Sequence, residues 1–284
     1  MNEIFSYGAD FPIMEENEIK QPIKYNKNLS IVQANELVRS KQDELSILEA
    51  KLIRLAIAQV LKEDEDLRTY TCNVTKLAEM LGISRQTAYE SIDKLTSSII
   101  KKGIYIYKKN PKKKKKPDYD KFSWVSRAKC EDGIITLRLS EELKPYLVGL
   151  NELFCSYRYE EIIKLRTSNA IRLYELLVSY ANIQFRRNGE RKTFYNVPLD
   201  EDEIIFTIEY MREIFNCEEK YPNTGDFINR IIKPGIEDIN KNTVLPCNYR
   251  IVKEGRKIAY VVFRVGNWKA IEGQTVLRNF EARV

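Results

Sequence analysis

Two groups of side chains in this sequence have the types and spacing to do chemistry, and both suit recognition of a polyanion. The first is Ser84-Arg85-Gln86-Thr87-Ala88-Tyr89. An arginine can pair with guanine O6 and N7 together, and a glutamine can pair with adenine. The second is residues 101–121, KKGIYIYKKNPKKKKKPDYDK, with ten lysines against two aspartates. That segment carries +8 in a chain whose formal net charge is +6, which leaves the rest of the chain at −2. A cluster this focused is an electrostatic footprint for phosphates, or equally a solvated loop. Pro111 and Pro117 bracket Lys112, Lys113, Lys114, Lys115 and Lys116 and discourage regular structure among them.

Catalytic chemistry has few candidates. No histidine occurs in the 284 residues. This removes histidine acid–base catalysis, Ser-His and Cys-His nucleophiles, and histidine-containing metal sites. There is no G-x-x-x-x-G-K-[ST] phosphate loop. The five cysteines are scattered without a CxxC pair, so neither zinc nor a disulfide framework is indicated. No cofactor, no metal and no enzymatic activity are expected. A reducing cytoplasm is the simplest home. No apolar run of about 18 residues predicts a membrane span, and the acidic, polar first twenty residues do not read as a secretory signal. Hydrophobic content of 43% and charged content of 31% suit a globular chain of two domains.

The elements that must position these residues follow from local signals. Ser46-Ile47-Leu48-Glu49 fits a capping box. Leu48, Leu52, Leu55, Ala56 and Gln59-Val60 then follow at the spacing of an amphipathic helix. Residues 74–99 read as helix, tight turn, helix. Leu77, Ala78 and Leu81 share a face, Gly82 stands where a helix ends, and Ser84 is a good N-cap for the next helix. Ala88, Ile92, Leu95 and Ile99 fall within about 60° of one another. The opposite face presents Gln86, Tyr89, Glu90 and Asp93, with Arg85 and Thr87 at its start. This is a helix-turn-helix pattern, or an ordinary corner between helices. Strand-like Ile104–Tyr107, the lysine run, Phe122–Val125 and the alternating 135–139 follow. A β-hairpin after a helix-turn-helix makes a winged helix, with the lysine run as its wing tip.

The second half repeats the pattern without repeating the letters. Residues 162–181 read as one apolar helix with Ile171, Tyr174, Leu177 and Val178 inward. Residues 206–216 predict a short helix with Ile208, Met211, Ile214 and Phe215 inward, followed by a YPNTG turn. In DFINRIIKPGIEDINKN, Phe227, Ile228 and Ile231 point inward and Asn229, Arg230 and Lys233 outward. Pro234-Gly235 should kink or weaken its later part. Residues 248–252 and 258–265 form a final hairpin about Glu254-Gly255.

The expected class is therefore α+β, mainly α, with two tandem winged-helix domains. The boundaries are a flexible arm (1–28), a first winged helix (29–150), a second (151–266) and a tail (267–284). The connection around 145–160 is apolar rather than a Gly/Ser tether, which predicts a constrained domain orientation. DNA-reading candidates are Arg85, Gln86, Thr87 and Tyr89 in the first domain and Asn229, Arg230 and Lys233 in the second. Lys112 to Lys116 are expected on phosphates, giving affinity without specificity.

In order and spacing, LVRSKQDELSILEAKLIRLAIAQV, SEELKPYL, SNAIRLYELLVSY, DFINRIIKPGIEDINKNT and GRKIAYVVFRV resemble the initiator (Rep) proteins of theta-replicating, iteron-containing plasmids, over roughly residues 29–266. The resemblance implies double-stranded DNA as partner, both origin repeats and an operator. It implies dimers that repress the chain's own promoter, and recruitment of a host replication initiator and helicase. The oligolysine run is not a feature of that resemblance. The alternative is a dedicated transcriptional repressor with two winged helices and no replication role. A rolling-circle nicking enzyme would need a histidine pair beside its tyrosine, and this chain has no histidine.

Overall fold

A computed structural model describes residues 20–24, 29–108, 118–184, 192–200 and 202–266. The first domain opens with β1 (Lys20–Pro22), β2 (Ser30–Ala34), α1 (Asn35–Arg39), β3 (Lys41–Gln42) and α2 (Ile47–Ile57). It continues with β4 (Thr69–Asn73), α3 (Val74–Leu81), α4 (Arg85–Ile99), β5 (Gly103–Lys108), β6 (Asp118–Ser123), β7 (Val125–Glu131) and β8 (Ile134–Leu139). A 3-10 turn (Glu141–Leu143), α5 (Lys144–Leu147), β9 (Phe154–Arg158) and α6 (Tyr159–Lys164) lead to α7 (Ser168–Gln184). The second domain follows with β10 (Lys192–Phe194), β11 (Val197–Leu199), β12 (Glu203–Thr207), α8 (Ile208–Ile214) and α9 (Thr224–Phe227). A π turn (Ile228–Ile232), α10 (Lys233–Asn242), β13 (Cys247–Glu254) and β14 (Lys257–Val265) complete it.

Two motifs share one topology. In the first, α2, β4, α3 and α4 are followed by the β7–β8 hairpin, and the strands lie in the order β4-β8-β7. In the second, α7, β12, α8 and the α9–α10 helix are followed by β13–β14, in the order β12-β14-β13. Both are winged helices.

Several expectations require correction. The hairpin that flanks the lysine run, β5–β6, is not the wing. It pairs with β3 in a separate sheet, whereas the hairpin joined to β4 is β7–β8. The stretch expected as one strand, Phe122–Val125, is cut at Trp124, whose wholly buried indole marks the passage from one sheet to the other. The helix expected over 162–181 is two, α6 and α7, broken at Leu165–Thr167, where Thr167 Oγ1 accepts from the Ala170 N–H. The arm does not stay free to residue 28 either: β1 pairs in parallel with β4, and Ile23 is 2% exposed.

Other local expectations hold. The Ser46/Glu49 capping box is reciprocal, with Glu49 N donating to Ser46 Oγ (3.3 Å) and Ser46 N to Glu49 Oε2 (2.6 Å). The helix it starts is not amphipathic, however. From Glu49 to Ile57 every residue is buried, Lys51 and Arg54 included, and Gln59-Val60 lie beyond its end. The kink expected at Pro234-Gly235 takes the form of the π turn just upstream. Pro234 has no N–H to donate into the preceding turn, and the wider turn absorbs the loss. Gly235 lets α10 approach α7 closely: a Cβ there would sit 3.0 Å from Leu173 Cδ2.

A polar junction joins the domains. β2 pairs with β9, bringing Tyr157 beside α7. Arg54 of α2 grips Glu175 of α7 through Nε–H and Nη2–H, at 2.9 and 2.7 Å, with both side chains essentially sealed from solvent. The Tyr157 hydroxyl donates to the same carboxylate and accepts from Gln33 Nε2 at 2.6 Å. Burial opposes ionisation of Glu175, but Arg54 and Tyr157 together hold its carboxyl below the ordinary value. Arg172 donates to the Val38 and Ser40 carbonyls, Arg39 to Ser179, and Asn216 to the Gln42 carbonyl.

Candidate nucleic-acid interface

Each recognition helix is aimed by its own turn. In the first domain α3 ends at Gly82, whose φ of +69° satisfies the left-handed geometry of the helix stop. Ser84 then caps α4, accepting from the Thr87 N–H at 3.0 Å. Ala88, Ile92, Leu95 and Ile99 are buried as expected, so the other face is turned outward. Arg85, Gln86, Thr87 and Tyr89 are all exposed on it.

These four are not equivalent. Gln86 Nε2 donates to Glu90 Oε1 at 2.8 Å, a bond that base contact would have to exchange. Arg85 lies 5.6 Å from the Tyr89 ring centroid, within reach of a cation–π contact. Thr87 bonds Ser84 through both its N–H and its hydroxyl, at 3.0 and 2.8 Å, which makes it part of the cap. Tyr89 leans over the β7–β8 turn. Asp132 and Gly133 both have positive φ there, as a two-residue hairpin turn requires. A Cβ at Gly133 would stand 3.1 Å from Tyr89 Oη. The recognition helix and its true wing therefore meet at Tyr89.

In the second domain Thr207 caps α8, and Ile208, Met211, Ile214 and Phe215 are buried. Arg212 organises the turn, donating to the carbonyls of Cys217 (3.0 Å), Lys220 (2.7 Å) and Tyr221 (2.7 Å), with its guanidinium 5.1 Å from the Phe227 ring. Phe227, Ile228 and Ile231 face inward; Asn229, Arg230 and Lys233 are exposed. Asn229 and Arg230 lie in the π turn and Lys233 opens α10. Arg230 stands 5.8 Å from the Tyr221 ring.

Lys112 to Lys116 lie outside the described residues. The strands that flank them run β3-β5-β6 along the domain junction, where Lys41 pairs with Glu218. Sequence reasoning passed over a second basic tip: Lys253, Arg256 and Lys257 are exposed around the β13–β14 turn. Three cations about a Gly turn in a hairpin were the available signal. It also passed over Tyr195, which is 57% exposed and stacks on Tyr260 of the same hairpin at 5.0 Å.

Family models settle the lineage of this arrangement. Residues 30–178 match the model described as Initiator Replication protein, WH1, and residues 207–265 match Initiator Rep protein, WH2. This chain belongs to the initiator replication protein family. A replication initiation protein of Escherichia coli is 26% identical over 262 residues, covering 90% of this chain and 75% of the relative. An uncharacterized 27.6 kDa protein of Escherichia coli is 22% identical over 253 residues, covering 84% of this chain and 95% of that one. A crystal structure of the Pi initiator protein in complex with iteron DNA superposes with a TM-score of 0.60 at 17% identity, covering 85% of this chain and 98% of that one. At that identity the likeness is one of fold. The initiator is thus a tandem winged-helix protein of DNA replication. Among its described residues no helix is long and apolar enough to cross a membrane.

Proposed function

We propose that this initiator binds repeated origin DNA with both winged helices on one duplex. The observation that carries the reading is the pair of capped, outward-facing helices, α4 and α9–α10, each backed by a hairpin and joined through a buried polar junction. The modules proposed for this are residues 29–150 and 151–266. Arg85, Gln86 and Tyr89 would read bases from the first helix, with Thr87 setting its start. Asn229, Arg230 and Lys233 would read from the second. Lys112 to Lys116 would neutralise phosphates without reading sequence. The relation to the Pi initiator supports iterons as the DNA, because that protein is seen on iteron DNA. Dimers repressing the initiator's own promoter, and recruitment of a host initiator and helicase, belong to the same proposal through the family.

Equivalent major grooves recur every ~34–36 Å, or about 10–10.5 bp, so two modules fixed in one chain should cover about 20 bp. The test compares full-length protein on its natural repeat and on a repeat with about 5 bp inserted between the half-contacts. The insertion should remove most of the affinity gained by linkage. Equal binding to both, or one domain matching the whole chain, would refute the two-module reading. Arg85→Ala and Arg230→Ala, assayed on single-base variants of the repeat, should each relax discrimination at one position by about 1–3 kcal/mol. Equal loss at every variant would make the residue a phosphate contact.

A further inference from the structure

The junction between the domains contains a cavity of about 40 Å³ that the DNA-binding reading does not use. One wall comes from the chain around α2 (Gln42, Ala50, Arg54), the other from the start of α7 (Ser168, Asn169, Arg172), and Asn216 of the second domain closes it. A space of about 10–15 Å³ admits one water, so this one suits a small ion with its remaining hydration.

Its lining is electrically unusual. Arg54 and Arg172 are 2% and 8% exposed. Arg54 directs Nε–H and Nη2–H at Glu175, which leaves Nη1 buried with no partner among the described residues. Arg172 directs Nη1–H and Nη2–H at the Val38 and Ser40 carbonyls, which leaves Nε buried with none. Two buried guanidiniums therefore share one buried carboxylate. Burial lowers the Arg172 pKa to about 10, the direction expected of a buried cation whose charge is incompletely balanced. A buried donor left unpaired costs about 1–3 kcal/mol, more on a charged group.

Two carboxylates also line the cavity, and both have cation or N–H/O–H partners of their own. Asp43 accepts from the Gly103 N–H (2.8 Å) and the Tyr105 hydroxyl (3.2 Å), and Glu44 pairs with Lys220 at 2.9 Å. Ser168 and Asn169 are the first residues of a 17-residue helix, whose positive end favours an anion.

We infer that this interdomain cavity is a binding site for a small inorganic anion, held by Arg54, Arg172 and the N-terminus of α7. An anion there ties α7 to α2 beside Asn216, whose side chain bonds the Gln42 carbonyl from the second domain, and so links solute conditions to the relative setting of the two recognition helices.

The test uses the full chain at constant ionic strength in a salt of a bulky organic anion. Inorganic phosphate and bromide are titrated separately while the melting temperature is read. At about ten times its dissociation constant, an anion should raise Tm saturably by roughly 3–6 °C. A larger response to phosphate identifies an oxyanion site; a response to bromide alone identifies a halide site. Asn169→Asp is nearly isosteric and favourable in a helix first turn, so it should fold, yet it places a repelling carboxylate in the wall. It should raise Tm without added anion and abolish the response. Bromide-soaked crystals should give an anomalous peak within hydrogen-bonding distance of Arg172 Nε. A linear response for both anions, an undiminished response in Asn169→Asp, or a bromide-soaked crystal with only water in the cavity would overturn the assignment.

Discussion

Replacing Glu175 by Gln should loosen α7 from α2, and through α7 the setting of the second winged helix against the first. Its carboxylate accepts two hydrogen bonds from Arg54 and one from Tyr157 while wholly buried. Removing one member of such a pair leaves a buried charge uncompensated, at about 3–5 kcal/mol. Gln keeps a carbonyl that can serve one donor, so the loss should fall near about 3 kcal/mol. The double variant Arg54→Met/Glu175→Leu removes both charges and should recover most of it, because apolar replacement of a buried pair is often neutral or better. Urea unfolding reports this directly. Trp124 is fully buried with the Arg54 guanidinium 5.1 Å from its ring, so its fluorescence reads the junction. The pH dependence has a definite sign. Glu175 has a folded pKa below its unfolded value, so its stabilisation is complete above about pH 4–5 and is lost as pH falls through the folded pKa. Wild-type Tm should therefore drop more steeply on acidification than that of Glu175→Gln. The variant should also tolerate the half-turn insertion in DNA better than wild type. A destabilisation under about 1 kcal/mol, or a double variant as unstable as the two single effects added, would refute the claim that this pair sets the junction.

Substituting Lys112 to Lys116 with Ser should weaken specific and nonspecific DNA binding alike. It should flatten the dependence of log K on log salt by about 0.9 for each phosphate no longer neutralised; an unchanged slope would make the run a bystander. Gly133→Ala places a Cβ at φ +72° and 3.1 Å from Tyr89 Oη. Stability should fall by about 1–2 kcal/mol and DNA affinity should fall with it as Tyr89 is displaced. Retained affinity would separate Tyr89 from the interface. Gly235→Ala drives a Cβ to 3.0 Å from Leu173 Cδ2 and should cost about 1–3 kcal/mol in urea unfolding, with relief on adding Leu173→Ala.

What was legible in the sequence was local. The Ser46/Glu49 box, the Gly82 stop and the Ser84 cap are decided within a few residues, and each stands where the letters put it. The apolar faces of α4 and α8 were likewise readable from spacing alone. Strand partnership was not. Nothing local to Ile104–Tyr107 says that it pairs with Lys41-Gln42 rather than with Thr69–Asn73, and the wing was misassigned for that reason. Buried charge was equally hidden. Arg54, Glu175 and Arg172 sit at helix positions that read as ordinary solvated residues until α2 and α7 are laid side by side. The outward cations at Arg85 and Arg230 were found because their helices have a dry face opposite. Lys253, Arg256 and Lys257 were missed because a hairpin turn imposes no such contrast.

The separation of β5–β6 from the wing changes what the lysine run means physically. Had it been the wing tip, its charges would move with α4 alone. Its strands instead join β3, and β3 is fastened to the second domain by Lys41–Glu218 and by Asn216 donating to the Gln42 carbonyl. The two strands on either side of the run are therefore held at the junction of the two modules. If the lysines neutralise phosphate as proposed, their contribution should depend on the domain arrangement in which α4 and α9–α10 reach one duplex together. On that proposal, loosening the Arg54–Glu175 contact should make the lysine contribution to affinity less dependent on how the two half-contacts are spaced, which salt titrations of Glu175→Gln on natural and half-turn-inserted repeats would measure.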